Sequence, residues 1–234
     1  MGKNKLERFD EIATYDHVVQ PKFADIFQKD HPLKGKWASD FFKNDNPVVL
    51  ELACGKGEYA VGMARKFKNK NFIGIDIKGA RIWRGAKTVV EEGLDNVGFI
   101  RTRIEVIESF FAAGEVSEIW ITFPDPQLKK AKKRLTSSIY LERFRNFLSK
   151  DGSVNLKTDN KVMYHFTKDL IALNQLEILR DTGNLYESEI LDDVLSIRTF
   201  YESMWLEQGL EINFVSFKLN QDGKVIENPP TEEE

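Results

Sequence analysis

Asp125 is the residue best placed to take part in a reaction, because it stands between Pro124 and Pro126. A proline pushes the residue before it toward extended backbone, so we expect Phe123 and Asp125 to be extended. The prolines also lack a backbone donor, which holds the Asp125 carboxylate in a stiff turn. A fixed carboxylate beside a run of cations predicts a site that meets a polyanion and performs chemistry next to it. The cations are Lys129, Lys130, Lys132, Lys133 and Arg134.

Each of these features also has an ordinary structural interpretation when it is taken alone. Pro-Asp-Pro is typical of a turn, and a lysine run is typical of a solvated surface. Here both follow directly after residues 119–123, an apolar run typical of a strand that is buried on both faces of a parallel sheet. Open parallel sheets bind ligands at the carboxyl ends of their strands, which favours the functional interpretation.

Three further acids, Glu51, Asp76 and Asp159, stand where predicted strands end. The carboxyl ends of parallel strands line one edge of a sheet, so we expect these acids and Asp125 to converge on one cleft. Asp76 follows a glycine turn by about 20 residues, which is where a carboxylate binds the two hydroxyls of an adenosine ribose.

The glycine turn holds Gly55 and Gly57, between a predicted strand at residues 48–50 and a helical pattern that follows Glu58. Glycines let the backbone approach a ligand closely. The third glycine of the dinucleotide fingerprint is out of register, and neither Ser nor Thr follows Lys56, so the turn matches neither that fingerprint nor a phosphate loop. Two glycines alone are also compatible with a tight turn that binds no ligand.

The pattern of acids favours S-adenosylmethionine as the cofactor. Glu51 would repel a pyrophosphate, which makes a dehydrogenase a poorer interpretation. S-adenosylmethionine carries an ammonium group, a sulfonium group and a ribose diol, and carboxylates at the ends of the first two strands suit all three.

Strand and helix patterns alternate along the chain and predict an α/β fold. We expect a doubly wound, mostly parallel, seven-stranded sheet of the Rossmann-like type. The final strand alternates apolar and polar residues and is predicted to be antiparallel. The predicted strands are residues 48–50, 71–77, 97–100, 119–123, 152–157, 176–179 and 212–219.

Three regions are expected along the chain. Residues 1–45 form an N-terminal arm and a segment that covers the core, residues 46–220 form the main domain, and residues 221–234 form a flexible acidic tail. Phe23, Phe27 and the aromatic residues of 37–42 are expected to cover the core.

The composition indicates a soluble globular protein, with 41% hydrophobic and 30% charged residues. The net charge of −3 means that any contact with nucleic acid must come from local patches. Cys54 is the only cysteine, which fits a reducing compartment and predicts a cytoplasmic protein. Three scattered histidines and one cysteine predict no structural zinc site. No apolar run is long enough to span a bilayer, so we expect no membrane partner.

The sequence resembles the bacterial tRNA guanine-7-methyltransferase family over about residues 33–219. The Pro-Asp-Pro sequence with its basic segment and the later Thr-Asp and Thr-x-x-Glu pairs are far more specific than the glycine turn. The matching stretches are Lys34-Gly-Lys-Trp37, Asn44-Asp-Asn-Pro47, Glu51-x-x-x-Gly55-Lys-Gly57, Gly74-Ile-Asp76, Pro124-Asp125-Pro126, Lys157-Thr-Asp159 and Thr199-x-x-Glu202.

The chain departs from the family pattern at several positions. Gln127 stands where the family usually has tryptophan, and Ala53 replaces the first glycine of the turn. Arg103 stands where an acid or amide is usual, and the basic segment at residues 131–134 is shortened.

The resemblance implies a class I methyltransferase that transfers a methyl group from S-adenosylmethionine to nitrogen-7 of a guanine in the tRNA variable loop. Asp125 would be the catalytic residue, and no metal is implied. Cofactor contacts are expected from Glu51, Gly55, Gly57, Asp76, Arg103 and Asp125. Contacts with the substrate guanine are expected from Lys129, Asp159, Thr199, Phe200, Tyr201 and Glu202. Contacts with RNA phosphates are expected from Lys130, Lys132, Lys133 and Arg134.

Two other functions remain open from the sequence. A methyltransferase of the same fold could act on a small molecule or a protein, in which case the lysine run would be dispensable for activity. A non-catalytic RNA-binding protein that has kept the fold would bind tRNA without binding the cofactor. The sequence does not distinguish a monomer from a homodimer.

Overall fold

A single eight-stranded sheet forms the centre of the computed structural model, which describes residues 3–220 and 222–227. The strands are β1 Val18–Val19, β2 Val48–Leu52, β3 Asn71–Asp76, β4 Val97–Arg101, β5 Val116–Thr122, β6 Leu148–Thr158, β7 Ile178–Thr182 and β8 Asn213–Lys218. Their order across the sheet is β1-β4-β3-β2-β5-β6-β8-β7.

The predicted seven-stranded, mostly parallel sheet with an antiparallel last strand is confirmed. Strands β2 to β6 pair in parallel, and β8 pairs antiparallel with both β6 and β7. The two-residue strand β1, which the sequence did not predict, adds an eighth strand beside β4. Every residue of β2 and β3 is buried, as expected for parallel strands that are covered on both faces.

Helices cover both faces of the sheet. Apolar residues of α3 and α4 belong to one buried cluster, and apolar residues of α5 and α6 belong to the other. The α-helices are α1 Lys3–Ile12, α2 Phe23–Ile26, α3 Glu58–Lys66, α4 Gly79–Glu92, α5 Ser138–Arg145, α6 Lys161–Leu173 and α7 Phe200–Glu207. Shorter helical turns span Trp37–Phe42, Ile104–Ser109, Ala131–Lys133 and Leu185–Glu187. Over the described part of the chain, no helix has the length and apolar character needed to cross a membrane.

The N-terminal segment covers the core with some of its aromatic residues only. Trp37 and Phe42 are buried, and the Trp37 indole Nε1 donates to the Phe110 carbonyl at 2.7 Å. Phe23 and Phe27 are half exposed, and their rings contact each other at a tilt of 31°, so the expectation that they cover the core is wrong.

Part of the predicted tail packs against the domain. Within residues 222–227, Val225 is buried and its backbone N–H donates to the Glu142 carboxylate. The Glu227 carboxylate accepts from the backbone N–H of Ser138 at the start of α5. Residue 221 and residues 228–234, the other parts of the predicted tail, lie outside the described residues.

Candidate active site

The glycine turn connects β2 to α3 through left-handed backbone. Gly55 and Gly57 have φ values of 57° and 67°. A Cβ atom at Gly57 would lie 2.4 Å from the Phe99 ring, so no larger residue fits there without displacing that ring. Ala53 also has a positive φ, 55°, although it carries a Cβ atom.

Asp76 connects the end of β3 to this turn. Its carboxylate accepts from the backbone N–H of Gly55 at 2.9 Å and from that of Lys78 at 2.7 Å. Each carboxylate oxygen has two lone pairs, so Asp76 can accept further hydrogen bonds from a ligand.

A cleft of about 290 Å³ opens beside Asp76. Ile77 is half exposed and offers an apolar surface next to the Asp76 carboxylate. Arg103 lies at the rim, with its guanidinium 5.7 Å from the centre of the Phe23 ring. An apolar surface beside a hydrogen-bonding acid matches the base and the ribose diol of an adenosine group. The lining residues are Ala53, Asp76, Ile77, Thr102, Arg103, Ile104, Glu105, Leu135 and Tyr140.

Glu51 lies beneath the glycine turn. Its carboxylate is 1% exposed and accepts from the Ala60 backbone N–H and the Thr122 hydroxyl, both at 2.8 Å. Burial raises the pKa of Glu51 to about 8, against the smaller opposing effect of these hydrogen bonds. Glu51 therefore ties the first turn of α3 to the end of β5, and a direct contact with the cofactor stays a prediction.

The β5–α5 loop, residues 123–134, begins with an unusual backbone. Phe123 donates its N–H to the Lys157 carbonyl at 2.8 Å and has a φ of 49°. The expectation of extended backbone at Phe123 is therefore wrong. The Phe123 N–H is still bonded to β6 at the position where the chain turns sharply away from the sheet, and the turn requires the positive φ. Such left-handed backbone at a bulky residue is rare and is concentrated at functional sites.

Asp125 is exposed at the tip of this turn. Its Oδ1 accepts from the backbone N–H of Gln127 at 3.0 Å. Gln127 also has a positive φ, 46°. The carboxylate is therefore both held by its own backbone and accessible to a ligand.

The predicted phosphate-binding cations divide into two groups. Lys129, Lys130, Lys132 and Lys133 are exposed. Arg134 is fully buried, where its Nε donates to the Pro126 carbonyl at 3.0 Å and its guanidinium lies 4.5 Å from the centre of the Phe166 ring. The predicted phosphate contact of Arg134 is not compatible with this position, because the buried side chain bonds to the Pro126 carbonyl within the same loop.

Asp159 follows the end of β6 and is half-buried, and this burial raises the pKa of its carboxyl group. Thr199 caps α7: its hydroxyl accepts from the Glu202 N–H, and the Glu202 carboxylate accepts from the Thr199 N–H. Phe200 and Tyr201 are about half exposed at the start of the same helix.

Glu202 is completely buried and paired with Lys157. The Lys157 ammonium lies 2.7 Å from the Glu202 carboxylate and donates to the carbonyls of Leu195 and Ile197 at 2.8 and 3.0 Å. Tyr186 donates its hydroxyl to the same carboxylate. Burial lowers the pKa of Lys157, and the charge of Glu202 opposes this effect. These bonds hold the 195–202 segment in place.

The start of α7 also contacts the glycine turn. The Phe200 backbone N–H donates to the Glu58 carboxylate at 3.1 Å. The Lys56 ammonium lies over the Phe200 ring, 4.2 Å from its centre. The exposed aromatic residues of the 195–202 segment therefore stand next to the turn that borders the candidate cofactor site.

Comparison with known proteins agrees with this geometry. Residues 45–215 match a family model described as "Putative methyltransferase". A tRNA (guanine-N(7)-)-methyltransferase of Bacteroides thetaiotaomicron is 53% identical over 232 residues, covering 99% of this chain and 92% of that protein. A tRNA (guanine-N(7)-)-methyltransferase of Christiangramia forsetii is 54% identical, covering 93% of this chain and 99% of that protein.

The chain belongs to the tRNA (guanine-N(7)-)-methyltransferase family.

Solved structures of other methyltransferases share the fold of this family member. The 16S rRNA methyltransferase KamB has a TM-score of 0.61 at 12% identity, over 81% of this chain and 94% of that chain. An antibiotic-related methyltransferase has a TM-score of 0.59 at 17% identity, over 81% and 95% of the two chains. At these identities the likeness concerns the fold alone.

Lys157 is the residue of this family member that sequence reasoning missed. It appeared only as the first letter of the Lys-Thr-Asp stretch, and no role was predicted for it. One signal was available. Lys157 ends a predicted strand of a parallel sheet that is expected to be covered on both faces, and a lysine buried there needs a partner. Nothing in the sequence identified that partner as Glu202.

Proposed function

We propose that this chain transfers a methyl group from S-adenosylmethionine to nitrogen-7 of a guanine in tRNA. This proposal rests on the cleft beside Asp76 and Arg103, because the cleft suits an adenosine group. Asp125 follows β5, which is separated in the sheet from β3, the strand of Asp76, by β2 alone. Relatives that are more than half identical over nearly the whole chain bear the name of this activity.

The residues around the cleft fit S-adenosylmethionine. Asp76 would accept hydrogen bonds from the ribose hydroxyls, and Ile77 would pack against the adenine. Gly55 and Gly57 would let the backbone approach the amino-acid part of the cofactor, while Glu51 supports the turn from below. When bound, the cofactor supplies a methyl group activated by its positively charged sulfur.

The reaction needs no general base from the protein. Nitrogen-7 of guanine is an acceptor without a proton, so its lone pair can attack directly. The protein contributes by holding the base in line with the methyl group, which is catalysis by proximity and orientation. The guanine ring becomes positively charged during transfer. The exposed Asp125 carboxylate would stabilise that charge more strongly in the transition state than in the ground state.

Selection of guanine would depend on acids and aromatic residues on the other side of the site. Asp159 is half-buried at the end of β6 and could accept from the two donors on the Watson–Crick edge of guanine. Phe200 and Tyr201 expose ring faces on which an unstacked base could lie. Because Glu202 is buried against Lys157, we assign it the role of holding these aromatic residues in place.

The lysines of the β5–α5 loop would bind phosphates of the tRNA beside the target guanine. Lys129, Lys130, Lys132 and Lys133 are all exposed, as such contacts require. A tRNA substrate would also agree with the cytoplasmic location that the lone cysteine suggests.

The test is methyl transfer from labelled S-adenosylmethionine to unmodified tRNA, followed by nucleoside analysis. We expect 7-methylguanosine as the product and its loss in Asp125→Ala. Binding of S-adenosylmethionine without transfer to tRNA would contradict the proposal and favour a small-molecule or protein substrate. Binding of tRNA without binding of the cofactor would favour a non-catalytic role.

A further inference from the structure

A second basic surface lies on the face of the sheet opposite to α5. It is a groove of about 480 Å³ between α3, α4 and residues 197–198, here called the α3–α4 groove. Two glycines set its shape. A Cβ atom at Gly62 would lie 2.6 Å from the Ile197 side chain, and one at Gly85 would lie 2.4 Å from the Lys56 carbonyl oxygen. The absence of side chains at these positions lets Lys56 and residues 197–198 settle directly against the two helices.

Five cations and one acid, Glu58, line the α3–α4 groove. Three of the cations already have carboxylate partners: Arg65 pairs with Glu92, Lys66 with Asp193 and Arg84 with Glu91. The other two, Lys56 and Arg198, form no ion pair with a carboxylate within residues 3–220 and 222–227. They can therefore bind an anion without first breaking an ion pair.

Lys56 and Arg198 also connect the groove to the candidate substrate site. The Lys56 ammonium lies 4.2 Å from the centre of the exposed Phe200 ring. The Arg198 guanidinium lies 4.7 Å from the centre of the Tyr186 ring, and Arg198 directly precedes Thr199. Both cations thus stand at the end of the groove that meets the 195–202 segment.

The two basic surfaces lie on opposite sides of this site. The exposed lysines of the β5–α5 loop lead into α5 on one face of the sheet, whereas the α3–α4 groove belongs to the other face. An RNA strand whose target base enters between them would have its backbone within reach of cations on both sides. Cations beside an exposed aromatic ring are a common combination in binding of unpaired nucleotides.

We propose that the α3–α4 groove binds the phosphate backbone of the tRNA strand next to the target guanine, with Lys56 and Arg198 as the contacting residues. The inference rests on the proposed function. It adds a second phosphate contact region, separate from the lysines of the β5–α5 loop.

The test compares Lys56→Gln, Arg198→Gln and the double variant with the wild-type protein. The dissociation constant for tRNA is measured over a series of salt concentrations. Each lost phosphate contact should lower the slope of log affinity against log salt by about one unit, and the double variant by about two. In Arg198→Gln, which lies outside the glycine turn, the Michaelis constant for tRNA should rise, while kcat at saturating tRNA and the affinity for S-adenosylmethionine change little.

Two matched variants control for charge and for folding. Lys150→Gln removes one exposed charge from the amino-terminal half of β6, far along the strand from its carboxyl end, and should keep the wild-type salt slope. Lys56→Arg keeps the charge in the groove and should also keep the slope.

Because Lys56 belongs to the glycine turn, Arg198→Gln decides the result. If wild-type protein methylates tRNA and Arg198→Gln keeps the wild-type salt slope, the groove inference is wrong and the proposed function stands. If wild-type protein neither binds nor methylates tRNA, the proposed function itself fails and the inference fails with it.

Discussion

The β5–α5 loop and the 195–202 segment flank the same candidate site but are held in opposite ways. In the loop, backbone turns hold an exposed acid, and most of the cations face outward. In the segment, the acid of the Thr-x-x-Glu pair is fully buried and bonded to Lys157, Tyr186 and its own helix cap. One region thus presents its charges to a ligand, whereas the other uses them to fix its own shape.

Two acids that both belong to motifs of this family therefore need not share a role. Asp125 and Glu202 both belong to motifs that mark this family, yet only Asp125 is accessible. Residues that act directly on a ligand and residues that position others should respond differently to substitution. Activity should be more sensitive than stability in the loop, and stability should be at least as sensitive as activity in the segment.

The largest effect is expected from Lys157→Met. This change leaves the Glu202 carboxylate buried without its cation and removes the donor of the Leu195 and Ile197 carbonyls. Removing one partner of a buried ion pair costs about 3–5 kcal/mol, so the free energy of unfolding should fall by that amount. Urea denaturation followed by circular dichroism measures it, and a loss below about 1 kcal/mol would contradict the proposed anchoring.

A double variant separates the buried charge from the positioning role. Lys157→Met with Glu202→Leu removes both charges and should recover much of the lost stability. It should still have low kcat/KM for tRNA, because Thr199 and Tyr186 lose the carboxylate that holds them. Full recovery of activity would show that the buried network has no positioning role.

Asp125→Asn should have the opposite profile. The amide oxygen can still accept from the Gln127 N–H, and the side chain is exposed, so stability should change by less than about 0.5 kcal/mol. Loss of the negative charge beside the guanine should lower kcat on the order of 100-fold, as for other single electrostatic contacts to a transition state. Steady-state kinetics with saturating tRNA measures this effect. An unchanged kcat would mean that Asp125 contributes shape alone.

The sequence predicted the placement of these residues better than their environment. Apolar strands ending in acids were sufficient to predict the sheet and the position of Asp76 beside the glycine turn, because both follow from local patterning. The burial of Arg134 and the pairing of Lys157 with Glu202 depend on contacts between residues distant in the chain. Residues 185–198 show no clear pattern, yet they supply Leu195 and Ile197 to the Lys157 site. The φ of Phe123 depends on its hydrogen bond to Lys157 in β6, a contact between distant residues that local sequence patterns do not predict.

Glu51 provides a further comparison with Glu202, because both acids are buried but only Glu202 has a cation beside it. Burial raises the pKa of Glu51 from 4.5 to about 8. The native state therefore keeps this proton at pH values where the unfolded chain releases it. Its stabilising contribution is complete below about pH 4.5 and is lost as the pH rises through about 8, by up to about 1.4 kcal/mol per pH unit.

Glu51→Gln should therefore flatten the pH dependence of the unfolding free energy between pH 5 and pH 8. This interval lies between the pKa of Glu51 in the unfolded chain and its raised pKa in the native state. Urea denaturation at several pH values measures it, and the exposed Glu189→Gln serves as the control for charge removal. Identical pH profiles for Glu51→Gln and the wild-type protein would show that Glu51 stays ionised in the native state.

The smallest effect tests the backbone side of the comparison. Gln127 has a φ of 46°, whereas no non-glycine residue of the 195–202 segment has a positive φ. Gln127→Gly should raise the unfolding free energy by about 0.5–1 kcal/mol, because glycine adopts this backbone without steric cost. Gln127→Ala keeps the Cβ atom and should give no such gain, so the two variants are compared by urea denaturation. A glycine variant less stable than the alanine variant would mean that the β5–α5 loop carries no backbone strain at this position. The contrast with the 195–202 segment would then rest on the buried ion pair alone.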